Sequence, residues 1–212
     1  MSPEYHADAT IFAGIFGGGP FRSTDGGATW EQVRQGMIDA WVPSLAVTPT
    51  FGFDSTVFAG TSNGVFRSLD GGDTWQDQGI GSPPPPPPFA PQPDVQVRSL
   101  AVSPAFLEDR TIFAGTNGSL GHGVYRTTNG WLWWEGAVEG LTNRDVFAVA
   151  ISPSFETDGT VFAGTRDGMF RWIGAPETTP VPLLGWWGLA TLAALLIVAL
   201  PLRLSELRRI RA

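Results

Sequence analysis

The sequence predicts an all-β fold of repeated four-stranded units, followed by one apolar C-terminal helix. Three observations predict it. A 13-residue pattern occurs four times between residues 2 and 173, short runs of β-branched and aromatic residues flank each copy, and residues 181–202 carry no charge. Short strands between glycine-rich turns, recurring about every 45 residues, are typical of repeated β-sheets.

The repeated pattern is [S/T]-P-x-[F/Y]-x-x-D-x-T-[I/V]-F-A-G. It occurs at Ser2–Gly14, Thr48–Gly60, Ser103–Gly115 and Ser152–Gly164. Its aspartates are Asp8, Asp54, Asp109 and Asp158, which are spaced by 46, 55 and 49 residues. Four antiparallel strands in about 45 residues match one propeller blade. We therefore predict a partial or truncated β-propeller of about 3.5 four-stranded blades, plus one C-terminal transmembrane helix.

Each unit is predicted to contain up to four strands, A to D. Strand A precedes the proline, at Ser44–Val47, Ser99–Val102 and Phe147–Ile151, and strand B is the T-[I/V]-F-A-G segment. Strand C surrounds an aromatic-arginine pair, and strand D opens at a tryptophan. The chain then runs BCD, ABCD, ABCD, ABC, with units near 1–36, 44–80, 99–139 and 147–173. No helix is expected before residue 174, because glycine or proline interrupts every 3.6-residue period.

The turn before strand D carries a family resemblance. Residues 23–30 (STDGGATW) and 68–75 (SLDGGDTW) both fit S-x-D-x-G-x-T-W. This pattern resembles the Asp-box, or BNR repeat, of sialidases, sortilin-type receptors, xyloglucan-active glycosidases and photosystem II stability factors. The chemistry of these residue types favours a structural role, in which Asp and Ser bond the backbone, glycines supply positive φ and tryptophan packs between sheets. The structural positions are Ser23, Asp25, Gly27, Thr29, Trp30, Ser68, Asp70, Gly72, Thr74 and Trp75.

A third copy, residues 127–134, departs from the box. Asn129 replaces the aspartate, and Trp131 and Trp133 occupy the glycine and threonine positions. Exposed aromatic side chains stack on sugars or anchor proteins, so Trp131 and Trp133 are candidate ligand-binding residues. The alternative is that they pack against a neighbouring blade or against the Pro-rich insert at residues 82–93.

The C-terminal segment has the pattern of a membrane anchor. Val181–Leu202 is long enough to cross a hydrocarbon core of about 30 Å. Trp186 and Trp187 lie near one end, and four arginines follow the other. The positive-inside rule makes residues 203–212 a cytoplasmic tail, with 174–180 as a stalk and the repeats outside the cytoplasmic membrane. The alternatives are a processed sorting signal and a buried soluble helix.

The two ends of the repeat array are incomplete. The first unit lacks strand A, the last lacks strand D, and Met1–Gly14 has no basic n-region followed by an apolar run. The missing signal peptide leaves two alternatives, a tail-anchored chain whose repeats face the cytosol or a chain that is part of a longer product, and we expect the second. The alternative is self-association, or a partner that covers the open blade edges.

Composition excludes several classes of chemistry. The chain has 212 residues and no cysteine, which excludes disulfides, thiol nucleophiles and Cys-ligated metal sites. Its net charge of −7 disfavours nucleic acid. No metal, cofactor or catalytic residue is predicted. A sialidase resemblance would imply an arginine triad and a Tyr–Glu pair, but Tyr125 stands at a repeated Phe position and Arg22, Arg67, Arg126 and Arg171 are repeat equivalents.

The function predicted from these features is an envelope-anchored, non-enzymatic binding or scaffolding module with a protein or glycan ligand. One alternative is an extracytoplasmic glycosidase, sialidase-like, whose catalytic residues lie in missing upstream blades. Another is an assembly factor for a membrane protein complex.

Overall fold

The described part of the chain forms four antiparallel sheets. The computed structural model describes residues 2–3, 5–78, 95–117, 123–130, 134–137 and 139–173. Within these ranges lie fourteen β-strands. Sheet 1 contains β1 (Ile11–Ile15), β2 (Gly19–Ser23) and β3 (Glu31–Gln32), and sheet 2 contains β4 (Ser44–Val47), β5 (Val57–Thr61), β6 (Gly64–Ser68) and β7 (Gln76–Asp77). Sheet 3 contains β8 (Gln96–Val102), β9 (Ile112–Asn117), β10 (Gly123–Thr127) and β11 (Glu135–Gly136), and sheet 4 contains β12 (Val146–Ile151), β13 (Thr160–Thr165) and β14 (Gly168–Ile173).

Every sheet is a meander in which strands adjacent in sequence pair side by side. The register follows the repeat: Ala59 of β5 faces Phe66 of β6, and Ala163 of β13 faces Phe170 of β14. The prediction of a mainly β chain with four antiparallel sheets is confirmed. The described strands number three, four, four and three, which is the count that the repeat predicts.

Four single helical turns correct the prediction that residues before 174 contain no helix. They are α1 (Tyr5–Asp8), α2 (Phe51–Asp54), α3 (Phe106–Asp109) and α4 (Phe155–Asp158). Each lies within the repeated pattern, between its proline and its threonine. A helix of four residues is too short to show a 3.6-residue period, so periodicity could not detect it.

The repeated aspartate closes this loop with hydrogen bonds. In sheet 2, the Thr48 hydroxyl donates to Asp54 Oδ1 at 2.6 Å, and the Thr56 amide donates to the same oxygen at 2.9 Å. Equivalent hydroxyl bonds join Ser2 to Asp8, Ser103 to Asp109 and Ser152 to Asp158. The aspartate that marks the repeat in the sequence therefore ties the end of strand A to the start of strand B.

The core consists of three clusters, one between each pair of successive sheets. The phenylalanine of the F-A-G segment packs against the following sheet, where it meets the phenylalanine of the next helical turn edge to face. The ring centroids are 5.6 Å apart for Phe12 and Phe51, and 5.7 Å apart for Phe58 and Phe106. The adjacent β-branched residue and alanine point to the preceding sheet, because side chains alternate along a strand.

Several predicted segments lie outside the described residues. They are the Pro-rich insert at 82–93, the stalk at 174–180, the membrane span at 181–202 and the tail at 203–212. Among the helices of the described ranges, none has the length and apolar character needed to cross a membrane.

Candidate interaction surfaces

The Asp-box turn of sheet 2 is held by a network of short hydrogen bonds. Ser68 Oγ accepts from the Gly72 amide at 2.8 Å and donates to Asp70 Oδ1 at 2.7 Å. Asp70 also accepts from the amide and the hydroxyl of Thr74. Gly72 has φ +100°, a conformation that a Cβ would strain.

The turn of sheet 1 repeats this network. Ser23 Oγ accepts from the Gly27 amide at 2.8 Å, and Asp25 accepts from the Thr29 amide at 2.9 Å and from the Thr29 hydroxyl at 2.6 Å. The bonds from Thr29, with a further bond from Ser23, lower the pKa of Asp25 from its ordinary 3.8 to about 2. Hydrogen bonds to the charged carboxylate are the cause, since they stabilise that form.

These bonds predict a loss of stability in acid. Because the folded-state pKa of Asp25 lies below its unfolded value, its contribution is present above pH 3.8 and is lost as the pH falls toward 2. The pKa of Asp70 is lowered as well, because bonds from Thr74 and Ser68 outweigh the opposing effect of burial. Asp25→Asn is expected to flatten the dependence of the unfolding midpoint on pH between 5 and 2.5, measured by circular dichroism. An unchanged slope in that variant would contradict the prediction.

The box tryptophans differ in burial, and Trp30 corrects the prediction that they all pack between sheets. Trp75 and Trp134 are 3% and 4% exposed, whereas Trp30 is 43% exposed. The Trp75 indole N–H donates to the Val33 carbonyl of sheet 1 at 2.7 Å, while the Trp30 indole bonds to Gly27 of its own turn. The reason is that each box tryptophan packs on the preceding sheet, and within the described residues no sheet precedes sheet 1.

The structure describes only part of the third box, residues 127–130 and 134. The Thr127 hydroxyl donates to Asn129 Oδ1 at 2.9 Å, as the box serine does to the aspartate in the other two turns. Trp131 and Trp133 lie outside the described residues, so their assignment as ligand-binding residues stays a prediction.

The repeated arginines lie on separate sheets. Arg22 joins sheet 1 to the box of sheet 2, because its guanidinium donates to the Gly71 carbonyl at 2.8 Å and contacts Asp73 at 2.8 Å. Arg67 is buried, and burial lowers its pKa. Arg171 is exposed on β14. Tyr125 packs against the core between sheets 2 and 3. The arginines Arg22, Arg67 and Arg171 and this tyrosine therefore lie apart and do not line one common pocket.

An aromatic patch lies at the opposite end of the sheets from the Asp-boxes, and sequence reasoning missed it. Phe16, in the turn between β1 and β2, is 84% exposed. Phe16 meets the Trp41 ring edge to face at 6.3 Å, and the Arg98 guanidinium lies over that ring, 4.8 Å from its centroid. We call Phe16, Trp41 and Arg98 the rim patch. Three sheets contribute to it: the β1–β2 turn, the segment before β4, and β8.

Hydrogen bonds fix the segment that carries Trp41. Asp39 is buried, accepts from the Trp41 amide at 3.0 Å, and also accepts from the Ser62 hydroxyl in the turn between β5 and β6. Arg98 is oriented by a bond from its Nε to Asn117 Oδ1 at 3.1 Å. The aromatic ring and the cation are thus held in place by neighbouring polar groups. One signal was present in the sequence: Phe16 stands at a position where the other three units have the polar residues Ser62, Asn117 and Arg166.

Within the described ranges, no group of three or more His, Cys, Asp or Glu side chains is arranged to hold a metal ion.

Comparison with known proteins shows the fold class. No protein-family model matches the chain, and no curated protein matches it. The fold is similar to PorZ, a bacterial surface component of the type-IX secretion system of Porphyromonas gingivalis, with a TM-score of 0.57, 16% identity, and coverage of 82% of this chain and 25% of that chain. It is also similar to a GH74 enzyme of Niastella koreensis, with a TM-score of 0.55 and 19% identity. The match covers 84% of this chain and 28% of that chain.

A third similar structure is an extracellular domain assigned to a hybrid two-component system of B. thetaiotaomicron, with a TM-score of 0.57 and 12% identity. It is matched over 81% of this chain and 22% of its own length. The chain therefore spans between about a fifth and just over a quarter of these proteins. At such identities the likeness shows a β-propeller-like fold and nothing about activity.

Proposed function

We propose that the protein is an envelope-anchored, non-enzymatic binding or scaffolding module whose rim patch contacts a ligand outside the cytoplasmic membrane. The observation that carries the proposal is the rim patch itself: an almost fully exposed phenylalanine that meets, edge to face, a tryptophan stacked with an arginine. Aromatic and arginine side chains dominate the energetics of protein interfaces, and an isolated soluble surface gains nothing from exposing them together.

The position of the rim patch supports this proposal over a purely architectural role. Trp30 is partly exposed on the face of sheet 1 that points away from sheet 2, where a further sheet would bury it as sheet 1 buries Trp75. The rim patch lies instead on turns and linkers, to which sheets 1, 2 and 3 all contribute. An additional sheet at either end of the array would stack against a sheet face and leave these turns open to solvent.

Membrane placement is the second part of the proposal. Its basis is the uncharged segment at 181–202 with arginines after it and an acidic region before it. Residues 1–177 carry 9 arginines against 19 acidic residues, which suits a domain outside the membrane. PorZ is described as a surface component and the B. thetaiotaomicron domain as extracellular, and the proposed location agrees with both.

We also propose that the chain belongs to the Asp-box repeat proteins. Its two complete boxes share the same Ser–Asp–Thr hydrogen-bond network and occur at the same point of the structural repeat. The glycosidase alternative is tested with fluorogenic glycosides, where turnover that disappears on replacing one carboxylate would overturn the non-enzymatic role. Stoichiometric co-purification with a membrane complex would favour the assembly-factor alternative.

Photo-crosslinking tests the rim patch directly. A benzoylphenylalanine placed at position 16 is expected to give one discrete adduct in native membranes, because Phe16 lies at the proposed interface. The matched control is position 53, where Phe53 is 87% exposed but lies in α2, at the other end of the sheets. Trp41→Ala should reduce the adduct by an order of magnitude or more, since one hot-spot aromatic contributes about 2 kcal/mol. Identical adducts at 16 and 53, or none at 16, would refute the proposal.

A further inference from the structure

Sheet 4 ends in an unpaired strand. Within the described residues, β14 pairs with β13 and has no neighbour on its other side, whereas β6 and β10 each pair with a short fourth strand. Met169 and Ile173 of β14 are 74% and 58% exposed. The open edge of a strand offers amide and carbonyl groups that another extended segment can pair with.

Sheet 2 shows what occupies the corresponding position when the fourth strand is present. Strand β7 pairs with β6, and the residue before it, Trp75, inserts between sheets 1 and 2. Its amide donates to the Gln35 carbonyl at 2.8 Å and its indole N–H to the Val33 carbonyl at 2.7 Å. The ring thus fills an apolar socket on sheet 1 and satisfies its single polar group there.

Among the described residues, no tryptophan of a fourth strand enters the corresponding position between sheets 3 and 4. A cavity of about 70 Å³ opens there, bordered on one side by Trp172. Its lining residues Phe113, Ala137, Leu141, Val161, Ala163 and Phe170 are the repeat counterparts of Phe12, Val33, Met37, Val57, Ala59 and Phe66. Five of those six counterparts form one cluster with Trp75, and the sixth, Val33, accepts the hydrogen bond from the Trp75 indole.

The sequence after β14 does not continue as an Asp-box. Trp172 stands where the other units have the box serine or threonine, and its ring lies 6.1 Å from that of Phe113. Residues 174–181 (GAPETTPV) contain neither the paired glycines nor the tryptophan of the pattern. The unpaired edge and the open cavity beside Trp172 are thus adjacent, and residues 174–181 lack the tryptophan that occupies the corresponding position in sheet 2.

We infer that this cavity is a binding site for a tryptophan on an extended segment of another polypeptide, which pairs with β14 as the fourth strand of sheet 4. The Ala137 carbonyl, the counterpart of Val33, is the acceptor for the indole N–H. Arg171 is the counterpart of Arg22, whose guanidinium lies 2.6 Å from the Glu31 carboxylate in sheet 1. In sheet 4, Arg171 faces the position that the counterpart of Glu31 on a fourth strand would occupy. The segment that fits is therefore acidic after its tryptophan, as in Thr-Trp-Glu. This inference does not depend on the rim patch.

The socket is tested first by a matched pair of substitutions. Ala59→Leu places three extra carbons against Trp75 and is expected to lower the melting temperature, because overpacking a filled site costs stability. Ala163→Leu makes the same change in the open cavity, so the melting temperature of the full chain in mild detergent should stay within a degree or rise. Equal losses in both variants would show that the cavity has no room for a side chain and would overturn the inference.

Binding is tested with a fluorescein-labelled peptide of residues 23–32 (STDGGATWEQ), titrated with the full chain and followed by fluorescence anisotropy. The peptide is expected to bind at least tenfold more tightly than the same peptide with alanine in place of tryptophan. Ala163→Leu should weaken binding tenfold or more. No preference for tryptophan, or binding unaffected by Ala163→Leu, would overturn the inference. Crosslinking at position 16 should be the same in Ala163→Leu, so failure of this site is distinguishable from failure of the rim patch.

Discussion

Replacing Trp75 with alanine is expected to lower the free energy of unfolding by about 3–5 kcal/mol, the range for truncating a large buried aromatic side chain. Trp75 is 3% exposed and belongs to the core cluster between sheets 1 and 2. Its removal leaves a cavity beside Phe12 and Met37 and deprives the Val33 carbonyl of its indole donor. The loss should appear as a lower midpoint of urea unfolding, followed by far-ultraviolet circular dichroism.

Trp30→Ala is the matched control, because it deletes the same side chain from the same position of the box. Trp30 is 43% exposed and its indole bonds only within its own turn. A loss of less than about 1 kcal/mol is expected, as for surface substitutions with few packing partners. Equal losses in the two variants would mean that the Trp30 face is covered in solution, and would contradict the assignment of Trp75 as the more deeply packed residue.

The repeat pattern carried enough information to place the strands. Strand β4 begins and ends at the predicted residues Ser44 and Val47, and β-branched and aromatic runs mark β5, β9 and β13. The prediction of these strands is correct because a strand depends on local sequence: its residue types and their alternation occur within five or six consecutive positions. The burial of the residues in these strands also follows from the repeat, since the same position of successive units packs against the same kind of neighbour.

Two features could not be predicted in this way, because they depend on neighbours distant in sequence. The box pattern is identical around Trp30 and Trp75, yet within the described residues only Trp75 has a preceding sheet to pack on. The rim patch joins Phe16, Trp41 and Arg98, which occupy no common position of the repeat. Their proximity arises from how three sheets stack, and a pattern read along one unit at a time does not contain that information.

The glycine of the F-A-G segment is explained by the stacking of the sheets. A Cβ on Gly14 would lie 2.0 Å from the Val42 carbonyl oxygen, which belongs to the segment leading into sheet 2. A Cβ on Gly60 would lie 2.6 Å from the Val97 side chain of sheet 3. The glycine is therefore required where the next sheet's first strand approaches closely.

Gly14→Ala is expected to destabilise the protein by about 3 kcal/mol or more, at the upper end of overpacking costs, because a backbone carbonyl must move. The control is Gly164→Ala in sheet 4, where the nearest atom is the Ala148 side chain at 3.6 Å, an ordinary contact. There the alanine should leave the unfolding midpoint unchanged or raise it slightly, since glycine is entropically unfavourable within a strand. Comparable losses in the two variants would mean that the glycine serves the strand itself, and would contradict a role in the contact between sheets.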